Sequence, residues 1–204
     1  MKIALLGGSF DPPHLGHILI ARQVIEHAGM DQVWFVPNYT TSAHHAVFQK
    51  QLSPAEDRYK MAQLLEDNKI KVSDFEIKRN KESLTITTLE TLSKEHPKDT
   101  FYWITGSDKL QTFHLYDDWR EIISTFHLII FPREHMLWDL EEQVKKSLLL
   151  QTIPQNVIVL HNKNLILSNI SSTAIRDREK HGLPINFLVP PAVEEYIKEH
   201  KLYG

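Results

Sequence analysis

The chain contains no cysteine in its 204 residues. That one absence excludes disulfides, cysteine-ligated zinc and thiolate chemistry. It accords with a reducing cytoplasm, the expected location. No apolar run approaches the roughly 18 residues that a membrane-spanning helix needs. Only Ile3 to Leu6 precede Gly7 and Gly8 as an apolar stretch, too little for the core of a signal peptide. Basic charge is not in excess either. Lys and Arg number 23 against 26 Asp and Glu, a net charge of −3, whereas duplex-binding proteins carry a basic balance. The expected partners are therefore small molecules, with no nucleic acid and no membrane, and the chain is read as a monomer or homodimer. A composition of 42% hydrophobic and 24% charged residues excludes disordered and collagenous classes. What the chain does have in quantity is histidine, 12 of them, which matters where they cluster.

Short apolar strands alternate with helical stretches. Strands are expected at Lys2 to Leu6, Gln32 to Val36, Lys71 to Lys78, Thr100 to Thr105, His127 to Phe131 and Val157 to Leu160. Helices are expected at Leu15 to Ala28 with Gly29 as its stop, and from the Ser53-Pro54-Ala55-Glu56 capping box to about Asp67. Further helices are expected at Thr87 to His96, Asp117 to Thr125, Trp138 to Leu149, from Ser171 or Ser172 to Lys180, and from Pro190-Pro191 to near Leu202. Leu165 to Leu167 reads as strand-like. The alternation predicts an α/β fold, a Rossmann-like doubly wound parallel sheet. One domain over 1–204 is expected, with a sheet core at 1–165 and a small C-terminal helical part at 166–204. The polar segment Asn38 to Leu52 reads as a substrate-side loop. Ligands in such sheets bind beyond the carboxyl ends of the strands.

The first strand runs into Gly7-Gly8-Ser9-Phe10-Asp11-Pro12-Pro13-His14-Leu15-Gly16-His17. Glycines after a strand let backbone N–H groups approach an anion. The helix that starts near Pro13 brings its positive end to the same place. His14 and His17, three apart, share a face of its first turn. The set reads as a phosphate site. No Gly-Lys-Ser/Thr follows, so it is not a Walker A loop, and it lacks the dinucleotide Gly-x-Gly-x-x-Gly. The plainer alternative is a glycine turn followed by histidines that cap or pack.

A second motif, Ile170-Ser171-Ser172-Thr173-Ala174-Ile175-Arg176, places three hydroxyls at a helix start with an arginine one turn in. Hydroxyls, unused N–H groups and a planar guanidinium suit phosphate oxygens. An ordinary N-cap with a surface arginine is the plainer alternative.

Together the two motifs resemble the nucleotidyltransferase superfamily with the His-x-Gly-His signature, and within it the bacterial nicotinate mononucleotide adenylyltransferases. The resemblance extends through Val33 to Asn38, Thr105-Gly106-Ser107-Asp108, Trp119, Phe131-Pro132-Arg133 and Val189-Pro190 to Leu202-Tyr203. It implies adenylyl transfer from ATP to nicotinate mononucleotide, giving deamido-NAD and pyrophosphate in NAD biosynthesis. It implies His14, His17 and Arg176 as catalytic groups. It implies an ATP site of Gly8, Ser9, Phe10, His14, Gly16, His17, Gly106, Asp108, Ile170, Ser171, Ser172, Thr173 and Arg176. The acceptor side would hold Ser9, Phe10, His44, Thr85, Trp119 and Arg133; a core aromatic is the plainer alternative for Trp119, and Arg22, Lys50 and Arg133 either add charge near the acceptor or are solvated surface residues. No protein metal site is implied; Mg²⁺ would come bound with ATP. Leu84 stands where the family commonly has tyrosine and His45 where it commonly has lysine, and both bear on acid against amide preference. Other readings are the same transfer to nicotinamide mononucleotide or another phosphate acceptor, and a metallohydrolase using His14, His17, His44 and His45 with Asp11 or Asp108. A nucleotide sensor without turnover is the remaining one.

Overall fold

The computed structural model describes residues 1–40, 52–81, 84–114, 118–133, 139–161 and 164–204. His44, His45 and Lys50, and most of the expected loop at Asn38 to Leu52, lie outside these residues. The elements run β1 (Lys2–Gly8), α1 (Leu15–Ala28), β2 (Gln32–Pro37), α2 (Ala55–Gln63), β3 (Ile70–Val72), α3 (Phe75–Arg79), α4 (Thr85–Glu95) and β4 (Thr100–Gly106). A short 3₁₀ turn at Ser107–Lys109 leads into α5 (Leu110–Phe113). Then come α6 (Trp119–Thr125), β5 (His127–Phe131), α7 (Leu140–Ser147), β6 (Val157–Val159), α8 (Ser172–Lys180) and α9 (Pro191–Glu199). Among the described residues the strands form one six-stranded sheet in the order β3-β2-β1-β4-β5-β6, the doubly wound order of a Rossmann-like fold. β4 lies parallel to β1 and to β5, and β5 parallel to β6. Ile3, Ala4 and Leu5 of β1 and Leu128, Ile129 and Ile130 of β5 are wholly buried. Burial on both faces is what a parallel strand covered by helices requires.

The helix ends follow local chemistry. Gly29, at φ +65°, takes the left-handed position after α1. Ser171 caps α8, its Oγ accepting the Ala174 N–H at 3.2 Å. Four expectations need correction. Lys71 to Lys78 is not one strand: β3 ends at Val72 and α3 begins at Phe75. Its Val72, Phe75 and Ile77 are residues that favour strands locally. The i,i+4 pairs Asp74–Lys78 (2.8 Å) and Phe75–Arg79 (guanidinium 5.4 Å from the ring centroid) favour a helical turn. The Ser53 capping box does not form; Pro54 is the N-cap of α2, without a side-chain cap bond. That helix stops at Gln63 because Asp67 Oδ1 accepts the N–H groups of Lys69 and Ile70, both at 2.8 Å, in a turn. Leu165 to Leu167 forms no strand. There the Gln23 amide takes the part of a neighbouring strand, donating to Ile166 O at 2.9 Å and accepting its N–H at 2.6 Å. Lastly, α9 ends at Glu199 rather than Leu202. Lys201 adopts φ 51° and the Leu202 N–H turns back to Ile197 O at 3.0 Å.

The chain divides into two compact units, each assembled from three stretches. One comprises Met1–Leu6, Arg22–Val33 and Leu84–Ser168; the other comprises Gly7–Ala21, Trp34–Ser83 and Asn169–Gly204. In the first, Asn156 Nδ2 donates to Ile123 O and Phe126 O, each at 2.6 Å, closing the end of α6. In the second, the Tyr196 hydroxyl on α9 donates to Asp57 Oδ1 on α2 at 2.8 Å. Among the described residues no helix is long and apolar enough to cross a membrane.

Candidate active site

The second unit holds both sequence motifs. His14 is the residue before α1 rather than part of its first turn, yet the two imidazoles still meet, ring centroids 3.8 Å apart. The His14 N–H donates to His17 Nδ1 at 3.1 Å, and the His17 N–H donates to His14 O at 2.9 Å. A backbone N–H can only donate, so Nδ1 of His17 is an acceptor and the ring carries its proton on Nε2. That nitrogen is the donor the ring can offer to a ligand. Gly16 explains itself: a Cβ there would stand 2.9 Å from His14 Nδ1 and 3.0 Å from its Cε1. A side chain would push the first imidazole out of place. Phe10 is buried and has φ 50°, a left-handed backbone that costs a non-glycine residue about 1–2 kcal/mol. Its ring is wedged between His17 (4.7 Å) and Phe35 (5.1 Å). Gly8 lies against the same ring, 3.5 Å from where its Cβ would be.

The second motif is tied to the first. Ser172 Oγ donates to Pro12 O at 2.9 Å, and Arg176 Nη1 donates to Asp11 O at 2.6 Å. Arg176 Nη2 donates to Thr173 Oγ1 at 3.4 Å. The hydroxyl proton of Ser172 is thus committed to the loop. The first turn of α8 adds N–H groups that a helix leaves unused. Ile170 packs near Gly16, 3.6 Å from its would-be Cβ.

Three further residues hold this arrangement: Asp11, inside the first motif, and Arg58 and Tyr203, outside both. Asp11 is wholly buried; its Oδ1 accepts the Tyr203 hydroxyl at 2.7 Å and its Oδ2 the Ser53 N–H at 3.3 Å. Arg58 is 1% exposed. Its guanidinium donates to Ser9 O, Asn38 O and Tyr39 O, each at 2.7 Å, to Asn38 Oδ1 at 3.1 Å and to Ser53 O at 3.0 Å. Burial pulls its pKa down, against the opposing pull of Asp11 and Tyr203. Burial and the Asp11 charge push the Tyr203 hydroxyl far up, so it stays a donor. One signal for Arg58 is present in the sequence. It stands three and four residues before Met61 and Ala62, on the face that α2 buries. For Tyr203 the only signal is the resemblance that runs through Val189-Pro190 to Leu202-Tyr203.

The first unit holds the remaining described candidates. At the end of β4, a Cβ on Gly106 would collide with the Asp108 carboxylate. Arg133 Nε lies 3.4 Å from Asp108 Oδ1, and the Arg133 N–H donates to Ser107 Oγ at 2.9 Å. Arg133, expected on the acceptor side, is therefore joined to Asp108, expected on the ATP side. Thr85 opens α4 and Trp119 opens α6. Trp119 is buried, with the Arg120 guanidinium 4.4 Å from its ring centroid. Arg22 is exposed.

A family described as cytidylyltransferase-like matches residues 5–178. A protein of Shouchella clausii named "Probable nicotinate-nucleotide adenylyltransferase" is 35% identical over 205 residues, covering 100% of this chain and 97% of its own. One of the same name from Caldicellulosiruptor bescii is 36% identical over 205 residues, covering 100% and 99%. Among solved structures, Plasmodium falciparum nicotinic acid mononucleotide adenylyltransferase complexed with NaAD matches with a TM-score of 0.75 at 24% identity, over 99% of this chain and 97% of that one. That likeness speaks for the fold.

Proposed function

The chain belongs to the cytidylyltransferase-like family and, within it, to the nicotinate-nucleotide adenylyltransferases, and we propose on that premise how its residues transfer the adenylyl group of ATP to nicotinate mononucleotide. The acceptor's 5′-phosphate has a second pKa of about 6 and is anionic at neutral pH. It needs no general base. An acceptor phosphate oxygen forms a bond to the α-phosphorus, the α–β bridging bond breaks, and pyrophosphate leaves with the electron pair. Such a reaction needs alignment and charge neutralisation.

The observation that carries the reading is the tie between the motifs. Ser172 and Arg176 bond to consecutive backbone carbonyls, Pro12 and Asp11, so two anion-binding elements serve one loop. In this reading the Nε2–H of His17 donates to the α-phosphate, where charge develops, and His14 supports it. Arg176 and the first turn of α8 hold the β- and γ-phosphates. Gly8 to Phe10 supply backbone N–H groups. Gly106 and Asp108 take the ribose. Thr85, Trp119 and Arg133 serve the acceptor.

Mg²⁺ would come bound with ATP: the Asp11 carboxylate is already bonded to Tyr203 and Ser53. Phosphate oxygens and water would hold the ion. When bound it neutralises phosphate charge.

The test is pyrophosphate release from ATP with Mg²⁺ and, in parallel, nicotinate mononucleotide, nicotinamide mononucleotide or phosphopantetheine, with products identified by mass. Preference for nicotinate mononucleotide is expected. Preference for the amide would move the acceptor and keep the chemistry. No adenylylated product with any acceptor would overturn the reading.

A further inference from the structure

Tyr203 stands one residue from the end of the sequence, outside both motifs, and yet it ends at the phosphate loop. Its hydroxyl donates to Asp11 Oδ1 at 2.7 Å, across 192 residues of chain. Asp11 has no solvent exposure. The same residue offers its backbone carbonyl to Arg176 Nη1 at 2.6 Å, and its Oδ2 lies 3.9 Å from that guanidinium. So Asp11 is gripped from two sides: the tyrosine holds its side chain, and the arginine takes its direction from its main chain and its charge. Two further features fix the tyrosine itself. The backbone turns at Lys201 (φ 51°) and at Tyr203 (φ 68°), and α9, which carries this tail, is tied to α2 by Tyr196 and Asp57 at 2.8 Å.

We propose that Tyr203 is a positioning residue for pyrophosphate binding, acting through Asp11 to aim the Arg176 guanidinium. The inference rests on the reading that Arg176 holds the β- and γ-phosphates. Without the hydroxyl, Asp11 Oδ1 loses its donor. The buried carboxylate then turns toward the nearest cation, and Arg176 is drawn away from the substrate side. The effect must fall on the phosphates that Arg176 holds, not on the adenosine or the acceptor.

The experiment compares wild type with Tyr203→Phe, which keeps the ring and removes one oxygen. Calorimetry measures binding of inorganic pyrophosphate and of AMP, and steady-state kinetics measure KM for ATP and for nicotinate mononucleotide. Loss of one hydrogen bond to a charged group predicts about tenfold weaker pyrophosphate binding and an ATP KM raised by a similar factor. AMP binding and acceptor KM should hold within about twofold. In an Arg176→Ala background the tyrosine substitution should change pyrophosphate binding no further, because its effect passes through the arginine. Unchanged pyrophosphate binding in Tyr203→Phe overturns the proposal. So does equal weakening of pyrophosphate, AMP and acceptor, which marks a merely structural role. An additive loss in the double variant overturns it as well. If Tyr203→Phe does not fold, Tyr203→Leu, which likewise carries no hydrogen-bond donor, is measured in its place against the same criteria. Wild-type protein that binds pyrophosphate but forms no dinucleotide would instead fail the functional reading, and the binding comparison would still decide the role of Tyr203.

Discussion

Arg58 and Arg133 sit in the two units of this chain, and they are held in opposite ways. Arg58 is 1% exposed and donates to four backbone carbonyls and one side-chain amide. Arg133 has 43% of its side chain exposed and faces a carboxylate that is 45% exposed, at 3.4 Å. A buried guanidinium with every direction answered fixes a shape, because moving any of its acceptors leaves a charge or a carbonyl unpaired. A half-exposed pair in water fixes little. The unit that holds both motifs is thus fixed by buried bonds, while the Gly106–Asp108–Arg133 corner is held by an exposed pair.

The largest effect should come from Arg58→Met, which removes the cation and strands the carbonyls of Ser9, Asn38, Tyr39 and Ser53. Removing one side of a buried charged network costs about 3–5 kcal/mol, and urea unfolding should show a loss of that order. A loss under about 1 kcal/mol would mean that Arg58 is not what locks the cradle, and the contrast with Arg133 would collapse. Next is His17→Ala. Loss of a preorganised donor to developing charge should lower kcat by about 10²–10³-fold, with ATP affinity less affected. Turnover at the wild-type rate would remove His17 from the chemistry.

The sequence made some of this legible and hid the rest for a physical reason. Strands β1 and β5 declare themselves by apolar runs, and α8 by Ser171 at its cap. The site motifs are contiguous, so local spacing alone assembles Gly8 to His17 and Ile170 to Arg176. The lock is not contiguous. Arg58 reaches Ser9 across 49 residues and Tyr203 reaches Asp11 across 192. Hydrogen bonds at such separations leave no period in the sequence. Where local preference misled, as at Lys71 to Lys78, i,i+4 pairing overrode the strand-favouring residues Val72, Phe75 and Ile77.

The two tyrosine–carboxylate bonds of the locked unit give a smaller effect with a defined sign. Burial and the Asp57 bond raise the Tyr196 hydroxyl to about 12, and burial with the Asp11 charge raises Tyr203 still further. A folded-state pKa above the unfolded value of about 10 contributes stability that is complete below pH 10. That contribution fades as pH climbs through the folded value. Unfolding free energy should hold steady to about pH 10 with respect to these groups and fall toward pH 12. Tyr196→Phe should flatten part of that fall. An identical alkaline slope in the variant would mean that Asp57 does not hold the tyrosine in solution.

The smallest effect should be the coupling of Asp108 and Arg133, and it is the sharpest test of the comparison. A double-mutant cycle of Asp108→Asn and Arg133→Gln should give a coupling free energy for stability of about 0.2–1 kcal/mol. It should shrink further in 0.5 M salt, because exposed charges are screened. Such a result leaves both side chains able to exchange each other for a ligand at little cost, so substitutions here would alter substrate KM while leaving the unfolding midpoint almost unmoved. The buried groups around Arg58 and Asp11 cannot behave this way, since each is bonded inside the fold. A salt-independent coupling of 2 kcal/mol or more would show that this corner is locked as firmly as the cradle. Discrimination between acceptors would then have to be sought in the packing around Trp119 and Thr85 rather than in mobile charge.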